Sequence, residues 1–237
     1  MSASQLSRHI SRQFDNELEN IRNQVLLMGG LIEQQLSDAI KSMTDSDMEL
    51  AESVIRNEFE VNRYDVSIDE ECTRILARRQ PAAGDLRLIM AIIKTITDLE
   101  RIGDEAEKVA KMAIDLSEKQ GPRSYYVGIN AMGNHVLKML HDALDAFARM
   151  DSEAALEVVR KEPESDEQYS AILRQLITYM MEDPRNITSA MDAVWTARAM
   201  ERIGDHVRNL CEYVIFFVEG KDVRHISVEE MEKKVLG

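Results

Sequence analysis

The chain has 237 residues, enough for one large domain or two small ones with a buried core. Asp and Glu outnumber Lys and Arg by 43 to 29, and the net charge of −14 argues against nucleic acid or an anionic membrane surface as a primary partner. Two isolated cysteines, Cys72 and Cys211, no apolar segment at the N-terminus and no run of ~18 apolar residues point to free thiols in the reducing cytoplasm.

Helical periodicity runs almost throughout, with four prolines and ten glycines as punctuation. The first helix is expected over 5–43, where Leu18, Ile21, Val25, Met28 and Ile32 recur at three and four and Leu36, Ala39 and Met43 extend the stripe. "TDSD" at 44–47 offers a turn and an N-cap for a second helix over 47–78, and "RQPAAGD" at 79–85 ends it before a third over 83–118. "KQGPRS" at 119–124 is the strongest boundary; helices over 124–149, 152–181 and 187–219 follow, separated by "RMDS" and "EDPRN". Each would be ~40–50 Å long at 25–35 residues.

The six segments form two matching sets of three. "LSDAIKSMTDSD" at 36–47 recurs 104 residues later as "LHDALDAFARMD", and "ERIGD" occurs at 100–104 and at 201–205. The expected fold is all-α, two tandem and similar three-helix bundles, residues 1–120 and 121–237.

The repeated pentapeptide carries the chemical signal. Glu100 and Asp104 stand at i, i+4 and so do Glu201 and Asp205, a like-charge arrangement that mildly destabilises an isolated helix. In both copies an apolar stripe leads into the two carboxylates: Leu86, Ile89, Ile93 and Ile96 in the third helix, Ile187, Ala190, Val194 and Ala197 in the sixth. Two readings stand. One is ion pairing, Asp104 with Lys108 and Asp205 with Arg208, with Arg101 and Arg202 a quarter turn away and no local cation for Glu100 or Glu201. The other is a hard, oxygen-seeking cation held by carboxylates from several helices. Further oxygen ligands would be Asp38 with its repeat partner Asp142, and Asn62 with its repeat partner Asp166; each is also read as a solvated or capping side chain. The five histidines show no HxxxH or ExxH pairing with a second acid, and all are expected at the surface. No nucleophile with an attendant base stands out, so no enzyme is expected.

With ERIGD doubled in a duplicated three-helix unit, the chain closely resembles the PhoU family, the accessory and regulatory proteins of phosphate-specific transport. "RQPAAGDLRLIM", "DLERIGDEAEKVA", "LHDALDAFARMD", "YMMEDP" and "RAMERIGDHVRN" carry the likeness over essentially the full length. The resemblance implies an E(D)xxxD metal signature at Glu100 and Asp104 and at Glu201 and Asp205, binding divalent or trivalent ions such as iron, manganese, zinc or magnesium. His206 follows the second copy where Glu105 follows the first, so the two sites need not share metal or affinity. The resemblance also implies a cytoplasmic negative regulator of the phosphate regulon. Such a protein would be a homodimer linking a Pst-type phosphate ABC transporter, through its ATPase subunit, to a PhoR-type sensor histidine kinase, with only peripheral contact with the membrane complex. The alternatives are a metal-buffering helical bundle and a di-metal carboxylate enzyme, although the latter would want Glu-x-x-His pairs that are not placed here.

Overall fold

The structure is a computed structural model that describes residues 12–119 and 124–237. Residues 5–11 of the first expected helix and most of "KQGPRS" lie outside them. Among the described residues there are eight α-helices and no strand: α1 (Arg12–Asp45), α2 (Met48–Arg79), α3 (Ala83–Lys119), α4 (Ser124–Arg149), α5 (Ser152–Val159), α6 (Glu162–Glu182), α7 (Ile187–Glu219) and α8 (Val228–Val235). The first bundle is α1–α3; the second is α4, the broken pair α5–α6, and α7.

The duplication is repeated in the turns. Ser46 (φ 56°) and Met150 (φ 52°) are both left-handed. The next amide then reaches back five residues, Asp47 N–H to the Ser42 carbonyl at 2.9 Å and Asp151 N–H to the Ala146 carbonyl at 3.0 Å. Each of these aspartates also caps the helix that follows, accepting from the amide of Leu50 at 3.0 Å and of Ala154 at 2.9 Å.

Two features depart from expectation. The helix expected over 152–181 is broken between Val159 and Glu162, because Pro163 in the first turn of α6 has no N–H to give and its ring would collide with the Val159 carbonyl. At the break the Lys161 carbonyl accepts from the Glu164 amide at 3.2 Å and lies 3.1 Å from His135 Nε2. The second is α8. Ser227 caps it, Met231 is its one buried side chain, and Arg160 just past α5 reaches its Glu232 at 2.7 Å.

Both halves share one continuous core, from Leu18 on α1 to Met231 on α8. Full burial of an Ile or Leu contributes roughly 1.5–3 kcal/mol, and Ile21, Ile32, Leu36, Ile68, Ile92, Leu99, Leu140 and Ile203 are all sealed from solvent. At its centre α3 and α7 pack antiparallel, Asp98 opposite Tyr213 and Glu105 opposite Arg202. The two ERIGD segments therefore lie on the helices that join the halves. Cys72 and Cys211 are buried free thiols, and burial pushes the Cys72 thiol up to about 12. No helix among the described residues is long and apolar enough to cross a membrane.

Candidate functional site

The glycine of ERIGD decides what faces the carboxylates. A Cβ at Gly103 would stand 3.1 Å from Glu58 Oε2 and 3.3 Å from Val61 Cγ1, so α3 approaches α2 closely at this point. Gly204 performs the same service for α7, where a Cβ would lie 3.2 Å from Ser165 Oγ on α6. Glu58 is thereby sealed against the first acid pair. It sits in the buried stripe Val54, Glu58, Val61 and Ile68, and neither of its carboxylate oxygens finds a hydrogen-bond partner. Gln35 lies beside it without closing a well-formed hydrogen bond. Burial, reinforced by the charges of Asp104, Glu107 and Glu100, raises the Glu58 carboxyl to about 7. Glu100 is raised too, by burial and then by Asp104.

In the second copy Glu162 holds the place of Glu58, 104 residues on. It is equally buried but not orphaned: Arg208 Nη1 donates to its Oε2 at 2.9 Å and Nε donates to Glu212 at 3.2 Å. Glu201 takes Arg198 at 2.5 Å while its other oxygen stays buried without a partner. Burial and Asp205 raise the Glu201 carboxyl against the pull of Arg198; burial and Asp166 raise Asp205. Arg208 occupies the position that Glu107 fills in the first copy, 101 residues earlier.

Several sequence expectations change here. Arg101 does reach the first acid pair, at 3.4 Å from Glu100 and 3.3 Å from Asp104, and Arg198 serves Glu201, so both glutamates have a local cation. Arg101 is half-exposed on a flexible stem, which lets it span the quarter turn. Lys108 turns to Glu105 rather than Asp104, and Arg208 to Glu162 and Glu212 rather than Asp205. Asp166, exposed on α6, is close enough to raise Glu162, Glu201 and Asp205. Asn62 is exposed on α2. Asp38 accepts from its neighbour Gln34 at 2.9 Å. Asp142 is bridged by Lys138 at 2.7 Å and Lys161 at 3.0 Å; burial alone would raise its carboxyl, but the two lysines hold it below the usual range.

Among the described residues no three His, Cys, Asp or Glu side chains are already gathered into a coordination shell. The chemistry of the first copy nonetheless fits a hard cation: a buried carboxylate with both oxygens unpartnered, facing three further carboxylates. The second copy fits one less well, because Arg208 already answers its buried Glu162, whereas in the first copy Arg101 reaches Glu100 and Asp104 and Glu58 keeps no partner.

A further cluster lies on the α3–α7 seam. Asp98, nearly buried, receives three donors from α7: His206 Nδ1 at 2.6 Å, Asn209 Nδ2 at 3.1 Å and Tyr213 Oη at 2.8 Å. His206 is therefore a cross-half contact and not the expected surface residue; its side chain is 18% exposed. At the other end of the seam Glu105, 3% exposed, holds Lys108 at 2.9 Å and Arg202 at 2.8 Å.

The sequence model of the PhoU domain matches the chain twice, over residues 25–113 and 129–214. The chain belongs to the PhoU family. It is 52% identical to the phosphate-specific transport system accessory protein PhoU of Serratia marcescens over 231 residues, 98% of this chain and 95% of that one. With the protein of the same description from Escherichia coli K12 it shares 48% over 237 residues, covering 100% of this chain and 98% of the other. The crystal structure of PhoU from Pseudomonas aeruginosa superposes with a TM-score of 0.86 at 50% identity, covering 88% of this chain and 100% of that one. Two PhoU domains on one chain agree with two tandem helical bundles, each bringing its own ERIGD to the central pair.

Proposed function

We propose that the chain is an accessory protein of phosphate-specific transport, acting in the cytoplasm as a non-enzymatic adaptor. In this reading a homodimer links a Pst-type phosphate transporter to a PhoR-type sensor histidine kinase and holds the kinase in its signalling-off state when phosphate is ample. The full-length match to relatives that carry the accessory-protein name supports it, at 48–52% identity over at least 98% of the chain. An adaptor shifts a kinase only by the difference in its affinity for the two kinase states. Deleting the gene should therefore switch on phosphate-starvation genes in phosphate-rich medium, and deleting the kinase as well should silence them again. Silence of those genes in the single deletion would sink the adaptor reading.

A metal ion at the first acid pair is the second part of the proposal, supported by the orphaned oxygens of Glu58. Glu58, Glu100 and Asp104 would hold a divalent or trivalent cation, iron, manganese, zinc or magnesium. The ion would supply to Glu58 the positive charge that Arg208 gives Glu162 in the second copy. Elemental analysis of protein purified without chelator should find metal above background, and Glu100→Gln with Asp104→Asn should remove the share of the first copy. A wild-type chain without metal under any loading condition leaves ion pairing as the explanation.

A further inference from the structure

The two ends of the α3–α7 seam are repeat copies of each other in position but not in residue type. Asp98 closes one end by gathering His206, Asn209 and Tyr213. At the other end the equivalent residue is Ala199, and Glu105, Lys108 and Met112 stand where those three donors stand. Glu105 binds Lys108 and, across the seam, Arg202, but Ala199 puts no carboxylate on α7 to gather the side chains of α3, and that end is open. It forms a groove of about 410 Å³ lined by Glu105, Lys108, Met112, Trp195, Arg198 and Arg202.

Three cations line the groove against one acid. With Arg198 also reaching Glu201 at 2.5 Å, the balance is three cations to two acids, a local positive excess on a chain whose net charge is −14. Glu105 is already engaged by Lys108 and Arg202, whose side chains are 50% and 44% exposed. Trp195 is 58% exposed, and Ile187 (46%) and Met191 (37%) precede it at four-residue spacing on the same helix. The groove thus continues into an apolar stripe about 12 Å long. A single small molecule would leave that stripe wet, whereas an amphipathic helix would cover it and set acidic side chains against the basic rim.

We propose that this groove docks an acidic amphipathic helix of a protein partner, with Trp195 as its apolar anchor and Lys108, Arg198 and Arg202 as its charge readers. The assignment does not depend on the regulatory complex proposed above. In the test, a photo-crosslinking benzoylphenylalanine replaces Met191 of the full-length chain in living cells, with the same replacement at exposed Phe59 on α2 as control. The expected adduct at position 191 is a segment of another protein with apolar residues on one helical face and Asp or Glu beside them, and Trp195→Ala should abolish it. That segment, synthesised, should shift the emission of Trp195, the chain's sole tryptophan, and Lys108→Ala and added salt should each weaken its binding several-fold. An adduct with a second copy of this chain, an adduct with a basic or uncharged segment, or none above the Phe59 control would overturn the proposal.

Discussion

Glu58 and Glu162 hold the same place in the duplicated unit, and they are neutralised in opposite ways. Glu162 is answered by Arg208, whereas the residue equivalent to Arg208 in the first copy is Glu107, which adds a negative charge and turns to Lys111 at 2.6 Å. The pair Arg208–Glu212 is replaced by its charge-reversed counterpart Glu107–Lys111, and with that exchange the buried carboxylate of the first copy is left open. The halves also differ in their second helix, continuous in the first copy and broken at Pro163 in the second. A duplicated fold can thus keep its turns and caps while its two sites diverge in charge.

The largest effect should come from forcing the second copy's break onto the first. Phe59 is the repeat partner of Pro163 and is 71% exposed, so its side chain has little packing to lose. Phe59→Pro removes an interior helical hydrogen bond and sets the ring against the Ile55 carbonyl, at a cost of about 3 kcal/mol or more. Pro163→Ala, at a first-turn position, should change stability by about 0.5 kcal/mol or less. Urea unfolding of both variants checks the pair, and equal losses would show that the break is not set by proline.

The next effect is electrostatic. The Glu58 carboxyl rises from an ordinary 4.5 to about 7 in the folded protein, so between those values the folded state binds more protons than the unfolded one. Stability must then fall as pH rises through that window, by about 3 kcal/mol in all. Other raised carboxylates act in the same direction, so the signal is the difference between wild type and Glu58→Gln in the presence of chelator. That difference should grow from pH 4.5 to 7 and level off above, with the variant the more stable. Glu107→Arg should act similarly by copying the Arg208 solution, and should also lower the metal content of the first copy. A pH-independent difference would mean that Glu58 finds a compensating charge.

Much of this comparison is legible in the sequence, because helices and caps are local. The stripe from Leu18 to Ile32, the turn at "TDSD" and the two aspartate caps follow from period and residue type alone. The break near Lys161 was marked by Pro163, but the apolar period runs on across it and masks the signal. Glu58 and Glu162 carried a signal too: an acid inside an apolar stripe, repeated at the offset that relates the halves. The Asp98 cluster carried none, since its donors lie 108 to 115 residues away and meet it only through the register of α3 on α7. Helix α8 carried a short one that was missed: Val228, Met231 and Val235 recur at three and four behind the Ser227 cap, but the stripe is only two turns long and lies past the last repeated segment.

The smallest effect sharpens the comparison by asking where the halves have not diverged. Asp47 and Asp151 follow left-handed residues, reach back to equivalent carbonyls and cap equivalent helices with bonds of 3.0 and 2.9 Å. Loss of such a cap costs about 1 kcal/mol, or about 2–4 °C in Tm for a chain of this size. Asp47→Ala and Asp151→Ala should therefore lower Tm by similar amounts, and the double variant by their sum, because the turns share no partners. Arg149 lies 3.5 Å from Asp151, but on a half-exposed stem it adds only a few tenths of a kcal/mol. Equal losses would show that the duplicated turn remains one device used twice while the carboxylate sites beside it have separated. A much larger loss at Asp151 would place divergence in the turn as well, with the short α5 depending on its cap more than the 32-residue α2 does.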